Sequence, residues 1–159
     1  MQTETLIGIL DRAIRAEAEA SEFYSSAAKV THDAGGRGMF LELADFEDHH
    51  HRHLELLRAS LAEKGEFIAY PARGLERGAE SKTSRAAVGP HDDSLAALRT
   101  AIEAEKKAET QYREIAGKIA DDAGKAMFLR LAEEETMHRR VLDDQYYALT
   151  NRGEWVWGD

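Results

Sequence analysis

No cysteine occurs anywhere in the 159 residues, and there are only two prolines. The first absence excludes disulfides, Cys-ligated zinc, a catalytic thiol, and Cys-held iron–sulfur or rubredoxin-type iron centres. The second, with abundant Ala, Glu, Leu and Arg, leans towards long helices. Basic residues are also in deficit: 21 Lys and Arg against 30 Asp and Glu leave a formal charge of −9. Phosphate contacts need clustered Lys and Arg, so nucleic-acid binding is not expected. The chain shows neither the apolar run of a membrane span nor the basic start and apolar stretch of a signal peptide. The expectation is a cytoplasmic protein with no membrane partner. Its length suits one domain with a sizeable core.

What is present is a repeat. Set against itself at an offset of 88, the sequence matches over residues 6–57 and 94–145 without a gap, with 19 identities in 52 positions. Unrelated helix-rich segments would share roughly 8–10%. Helical composition alone can match alanines and leucines. It has no reason to match Tyr24 with Tyr112, Met39-Phe40 with Met127-Phe128, or Glu47-x-x-His50 with Glu135-x-x-His138. The chain therefore carries an internal duplication.

Each copy reads as a helical hairpin. Leu6, Leu10, Ala13, Ala20, Tyr24 and Ala27 step by threes and fours, which predicts helix 1. Gly35 and Gly36 are expected to supply a left-handed cap and the reversal. Phe40, Leu43, Leu54, Leu57 and Leu61 mark helix 2, of about 25 residues. In the second copy Asp92 or Asp93 is the expected N-cap. Leu95, Leu98, Ile102, Ala108, Tyr112, Ile115 and Ile119 form a stripe, Asp121–Gly124 turns the chain, and Phe128, Leu131, Leu142 and Leu149 mark helix 4. Between the copies, Pro71, Pro90, Gly65, Gly74, Gly78 and Gly89 fall in a stretch without period. A lone hairpin cannot bury its apolar face, so the expected fold is all-α: one four-helix bundle of two duplicated hairpins joined by a long crossover. Its expected divisions are a bundle over residues 1–150 and a short tail over 151–159. Within the bundle, hairpin 1 is placed at about 4–62, the crossover at about 62–93 and hairpin 2 at about 94–150. A homodimer, with hairpins exchanged or not, is also expected.

Polar residues interrupt these stripes at core positions. Glu17 falls between Ala13 and Ala20, and Glu105 between Ile102 and Ala108. Glu47 and His50 fall between Leu43 and Leu54, and Glu135 and His138 between Leu131 and Leu142. Four buried carboxylates need compensating cations. Two divalent ions neutralise them, with two uncharged imidazoles completing the set. Depth agrees: Glu17 and His50 are equidistant from the first turn, Glu105 and His138 from the second, so all six share one layer. A Glu from each of two helices plus Glu-x-x-His from each of the others is the ligand pattern of di-iron and di-manganese helix bundles. A single Glu-x-x-His would more often be a solvated face; two in core register, each with a partner Glu, are not.

Other residues carry weaker signals. Tyr24 and Tyr112 lie two turns beyond Glu17 and Glu105. They are read either as core aromatics or as catalytic-site tyrosines bonding a ligand carboxylate. His49, His51 and His53 have no histidine counterparts in the second copy and read as a solvated face, with a surface cation on His49 and His53 as the minority reading. His32 and His91 read as structural. Glu133 and Glu134 read as surface acids beside the inward Glu135. Trp155 and Trp157 suggest a tail docked on the bundle or on a second subunit.

The stretches Glu17-Ala-Glu-Ala-Ser-Glu-Phe-Tyr24, Leu43-Ala-Asp-Phe-Glu47-Asp-His-His50, Glu105-Lys-Lys-Ala-Glu-Thr-Gln-Tyr112 and Leu131-Ala-Glu-Glu-Glu135-Thr-Met-His138 resemble the rubrerythrin branch of the ferritin-like superfamily. The resemblance implies that Glu47 and Glu135 bridge two metals, that Glu17 and His50 complete one, and that Glu105 and His138 complete the other. Two departures stand out. A rubredoxin domain needs cysteines that this chain lacks. The extra carboxylate many rubrerythrins carry near the helix 3 ligand is replaced by Ile102 and Ala108, bringing the six-residue set closer to the symmetric site of bacterioferritin. The expected cofactor is two iron ions, with manganese or zinc as substitutes. The expected function is a di-iron oxidoreductase that oxidises Fe(II) with dioxygen or hydrogen peroxide, drawing electrons from Fe(II) itself or from a separate electron-transfer protein. The alternatives are an iron-storage subunit and a di-iron hydroxylase of an organic substrate. The hydroxylase needs an apolar pocket beside the metals, and the sequence marks none.

Overall fold

The structure is a computed structural model that describes residues 3–76 and 93–157. It holds four long helices: α1 (Thr3–Val30), α2 (Ala34–Lys64), α3 (Ser94–Lys118) and α4 (Asp122–Arg152). The closest packing is between α1 and α2 and between α3 and α4, so the chain is all-α and built of two hairpins. The expected residues Pro90, His91, Asp92, Gly78 and Gly89 lie outside the described residues. None of the described helices is long and apolar enough to cross a membrane.

Both turns are made in the same way. Asp33 caps α2 by accepting from Gly36 N at 2.8 Å, and Asp121 caps α4 by accepting from Gly124 N at 2.8 Å. Gly35 and Gly36 therefore do not form a left-handed cap. They lie inside the first turn of α2, which runs to 31 residues rather than about 25. The left-handed caps stand at the far ends instead, at Gly65 (φ 67°) and Gly153 (φ 69°). Asp93 occupies the N-cap position of α3 but makes no side-chain cap bond.

Gly36 and Gly124 are required for close approach. A Cβ on Gly36 would lie 2.8 Å from the Trp155 ring, and one on Gly124 would lie 2.5 Å from the Phe67 ring. Gly65 and Gly153, like Phe67 and Trp155, are themselves 88 residues apart. The duplication thus extends past the helices: Gly-Glu-Phe at 65–67 and Gly-Glu-Trp at 153–155 are equivalent. The segment after each hairpin places its aromatic ring in the notch at the turn of the other. Of the two readings of the tryptophan tail, the structure shows docking on the bundle: Trp155 and Trp157 are buried, and Val156 N donates to Gln145 Oε1 at 2.9 Å.

The core has two apolar halves. One joins Tyr24, Met39, Phe40 and Leu43 to Leu98, Ile102, Leu142 and Trp155; the other joins Leu10, Leu54 and Leu57 to Tyr112, Met127, Phe128 and Leu131. Between them lies a layer of acids and imidazoles.

Candidate metal centre

Each helix contributes to that layer from a core-facing position. Glu17 of α1, Glu47 and His50 of α2, Glu105 of α3, and Glu135 and His138 of α4 are all buried, none more than 3% exposed. The three-residue step from Glu47 to His50, and from Glu135 to His138, sets both side chains on one face of a helix. The six gather in two groups. Glu17, Glu47, His50 and Glu135 form the first and Glu47, Glu105, Glu135 and His138 the second, with one ligand atom from each residue lying within 4.8 Å of the others in its group. Glu47 and Glu135 belong to both.

The layer leaves many polar atoms unsatisfied. Glu17 Oε2, Glu47 Oε1, His50 Nδ1, Glu105 Oε2, Glu135 Oε1 and both ring nitrogens of His138 are buried without a hydrogen-bond partner. His50 Nδ1 lies 2.8 Å from Glu135 Oε1 and His138 Nδ1 lies 2.7 Å from Glu47 Oε1, close enough to attract but at angles that make no hydrogen bond. Buried polar groups are ordinarily paired, and so many orphans facing one another is the arrangement that a cation resolves. Oxygen and nitrogen ligands about 2.1 Å from an ion lie up to about 4.2 Å apart, so sub-ångström shifts would close either group on one. The cluster thus has the donor set to hold two metal ions.

Proton affinities show the same strain. Burial drives Glu47 well above the usual carboxylate range, and the charges of Glu135, Glu17 and Glu105 push it further. Glu135 is raised likewise by burial, then by Glu105 and Glu17. Burial also acts to raise Glu17, but the adjacent Glu47 carboxyl, the facing His50 and the Tyr112 hydroxyl together bring it to about 2. Glu105 is lowered in the same way, burial being outweighed by His138, Glu135 and Tyr24. Burial acts to lower His50, but Glu17 and Glu134 overcome it and carry the imidazole up to about 10. Without a metal, Glu47 and Glu135 share this space with the ionised Glu17 and Glu105 only by taking up protons.

Both tyrosines reach the layer, and each crosses to the opposite hairpin. Tyr24 Oη donates to Glu105 Oε1 at 2.6 Å, and Tyr112 Oη donates to Glu17 Oε1 at 2.5 Å. Each bond occupies one carboxylate oxygen and leaves the other, Oε2, facing inward. Burial and the adjacent carboxylate hold both phenols well above their usual range, so they remain donors.

Glu134 corrects the sequence reading. It is fully buried and not a surface acid. His50 Nε2 lies 2.9 Å from its Oε1. Burial acts to raise Glu134, but the bonds from His50, Tyr70 and Arg73 N bring it to about 2. An ionised carboxylate only accepts, so His50 holds a proton on Nε2 whether charged or neutral, and turns Nδ1 towards the centre. The acid is buried because the start of the crossover packs over it, bringing Tyr70 Oη and Arg73 N to the carboxylate. The same segment half-covers the supposed solvated face: His49 Nε2 lies 3.0 Å from Pro71 O, and its ring lies 4.5 Å from that of His53. His51 pairs with Glu55 at the surface. His49 and His53 do not join a metal-holding group among the described residues. One sequence signal could have exposed Glu134: its equivalent in the first repeat is Phe46, and an acid aligned with a core phenylalanine marks a buried charge.

A cleft of about 650 Å³ opens between α1 and α3. Its walls include Ala13, Ala20, Phe23, Ala101, Ala108 and Ile115, and it reaches Glu17, Glu47, Glu105 and Glu135 at its base. An apolar pocket beside the acids, which the sequence did not mark, is therefore present.

Similarity to known proteins agrees with this geometry. Among solved structures, a hypothetical protein from Pyrococcus furiosus is similar with a TM-score of 0.71 and 26% identity, over 92% of this chain and 90% of that one. No curated protein matches the chain. Residues 5–148 match the family described as the ferritin-like domain. The duplicated hairpins and the buried carboxylate–imidazole layer are thus those of a family member: the chain belongs to the ferritin-like domain family.

Proposed function

We propose that the protein is a di-iron oxidoreductase of the rubrerythrin type. The observation that carries this reading is the pair of overlapping groups of inward-facing, unpartnered donors that share Glu47 and Glu135. Glu47 and Glu135 would bridge, Glu17 and His50 would hold one ion, and Glu105 and His138 the other. Two Fe(II) ions bound there would supply two electrons, enough with two protons to reduce hydrogen peroxide to water or dioxygen to hydrogen peroxide. The chain's part is to position and to exclude. Tyr24 and Tyr112 fix the rotation of Glu105 and Glu17, so that each offers Oε2. Phe40, Leu43, Phe128 and Leu131, fully buried in the two apolar halves of the core, close the layer off along the bundle axis. The cleft between α1 and α3 gives a small oxidant a route to the acids. With no cysteine in the chain, continued turnover on peroxide draws electrons from a separate electron-transfer protein.

Anaerobic titration with Fe(II), followed by rapid mixing with dioxygen or with peroxide, tests the reading. Uptake of about two ions per chain and oxidation by either reagent are expected. Unchanged uptake in Glu47→Ala and His138→Ala would sink the assignment.

The cleft favours one second reading, oxygenation of a small organic molecule. Its volume lies in the range of ligand pockets, roughly 300–1,000 Å³. With iron, a chemical reductant and isotopically labelled dioxygen, label recovered in an aromatic probe such as indole would support it; label found only in water would count against it.

A further inference from the structure

The duplication allows the two imidazoles to be compared at their outer nitrogens. His50 and His138 are equivalent by sequence and both are fully buried. Around His50 the outer nitrogen meets Glu134, which four donors hold in place: His50 Nε2 at 2.9 Å, the Tyr70 hydroxyl, Arg73 N at 3.0 Å and Arg130 Nε at 2.7 Å. Around His138 the equivalent position is Phe46. Its ring centroid lies 4.3 Å from that of His138 at 80°, and His138 Nε2 has no partner. The difference extends outward. Arg130 of α4 corresponds to Glu42 of α2, and Arg73 spans the two surroundings, with its guanidinium on Glu42 and 4.8 Å from the Phe46 centroid and its backbone N–H on Glu134. One crossover packs against a two-fold-repeated bundle, so it braces one imidazole and not the other.

A carboxylate on the far N–H of a ligating histidine fixes its tautomer and ring orientation and makes the ligating nitrogen more basic. When His138 ligates through Nδ1, its buried Nε2–H has no acceptor, and the side chain beside the imidazole is the Phe46 ring where His50 has Glu134. We infer that Glu134 makes the two metal positions unequal: the ion on Glu17 and His50 is the tightly held resident, and the ion on Glu105 and His138 is the exchangeable one. Glu134 is a positioning residue, acting through His50. This inference rests on the metal-centre reading above and adds an order of filling to it.

Stepwise titration of the full-length, metal-free protein with Co(II), against a competing chelator and followed by visible absorption, tests it. The expected result is two separate steps. Glu134→Gln weakens the tighter step about 10–100-fold and leaves the weaker one in place. His138→Ala leaves the Glu134 cluster untouched; it keeps the tight step and loses the weak one, while His50→Ala does the reverse. Two equal steps in the unaltered protein, equal weakening of both steps by Glu134→Gln, or loss of the tight step in His138→Ala would each overturn the inference alone. Failure of the unaltered protein to take up any Co(II) would overturn the metal-centre reading and the inference with it.

Discussion

Tyr112 and Tyr24 each satisfy one oxygen of a buried carboxylate, so removing a hydroxyl strands an acceptor without opening a large cavity. Tyr112→Phe should cost the metal-free protein about 1–3 kcal/mol, read by urea denaturation, with a similar loss for Tyr24→Phe. The same variants should bind metal more weakly, because the freed carboxylates can rotate. Equal stability of Tyr112→Phe and the unaltered protein would show that the bond to Glu17 contributes nothing. The inward facing of the six acids and imidazoles is legible because helical spacing and the repeat both mark them, whereas for the tyrosines the sequence leaves core packing and a carboxylate bond open, and the structure shows the bond. Glu134 is not legible in this way. It sits one residue before Glu135, off the stripe, and Tyr70 and Arg73 cover it from outside. Those two come from a segment with no period, so nothing in the local pattern announced the contact. Phe46 carries no signal of its own, since a phenylalanine in a helix reads as ordinary core.

Among the helices, glycine separates packing from propensity. Gly36→Ala and Gly124→Ala would drive a methyl group into the Trp155 and Phe67 rings, and each should cost about 1–3 kcal/mol. Gly8 lies in α1 with nothing within 4 Å of an added Cβ, so Gly8→Ala should instead gain about 0.5–1 kcal/mol from helix propensity. Chemical denaturation of the three variants checks both signs; a stabilised Gly36→Ala would refute the notch. Helix number, order and core faces followed from the apolar stripes, because burial enforces a three/four period. At the first turn the sequence misleads, since the adjacent Gly35 and Gly36 suit a left-handed cap and a tight helix start equally well. What distinguishes the two here is Trp155, more than a hundred residues away in the chain.

For the molecule as a whole, the buried layer ties stability to pH. Glu47, Glu135 and His50 hold protons in the folded, metal-free protein at pH values where the unfolded chain has released them. Their contribution is complete below the unfolded pKa values, about 4.5 for the acids and 6.5 for the imidazole, and is lost as pH rises through the folded ones. Glu17 and Glu134, held at about 2, act oppositely: their stabilisation is present above about 4.5 and fades as pH falls towards 2. The metal-free Tm should therefore fall between pH 5 and 9, by about 2–4 °C per kcal/mol lost. Metal binding displaces those protons, so saturating Co(II) should raise the Tm more at pH 8 than at pH 6. Thermal melts with and without metal at the two pH values decide this; an equal gain at both would contradict it.

The exchanged aromatic rings also set an order of events during synthesis. Gly36 is made early, but its notch stays open until Trp155 is translated; Phe67 is made long before the Gly124 notch that receives it. Neither hairpin can close its turn end with its own residues. The first-made turn therefore stays uncovered until the segment after the second hairpin has been made, and the later of the two rings to dock completes the part of the protein that was made first.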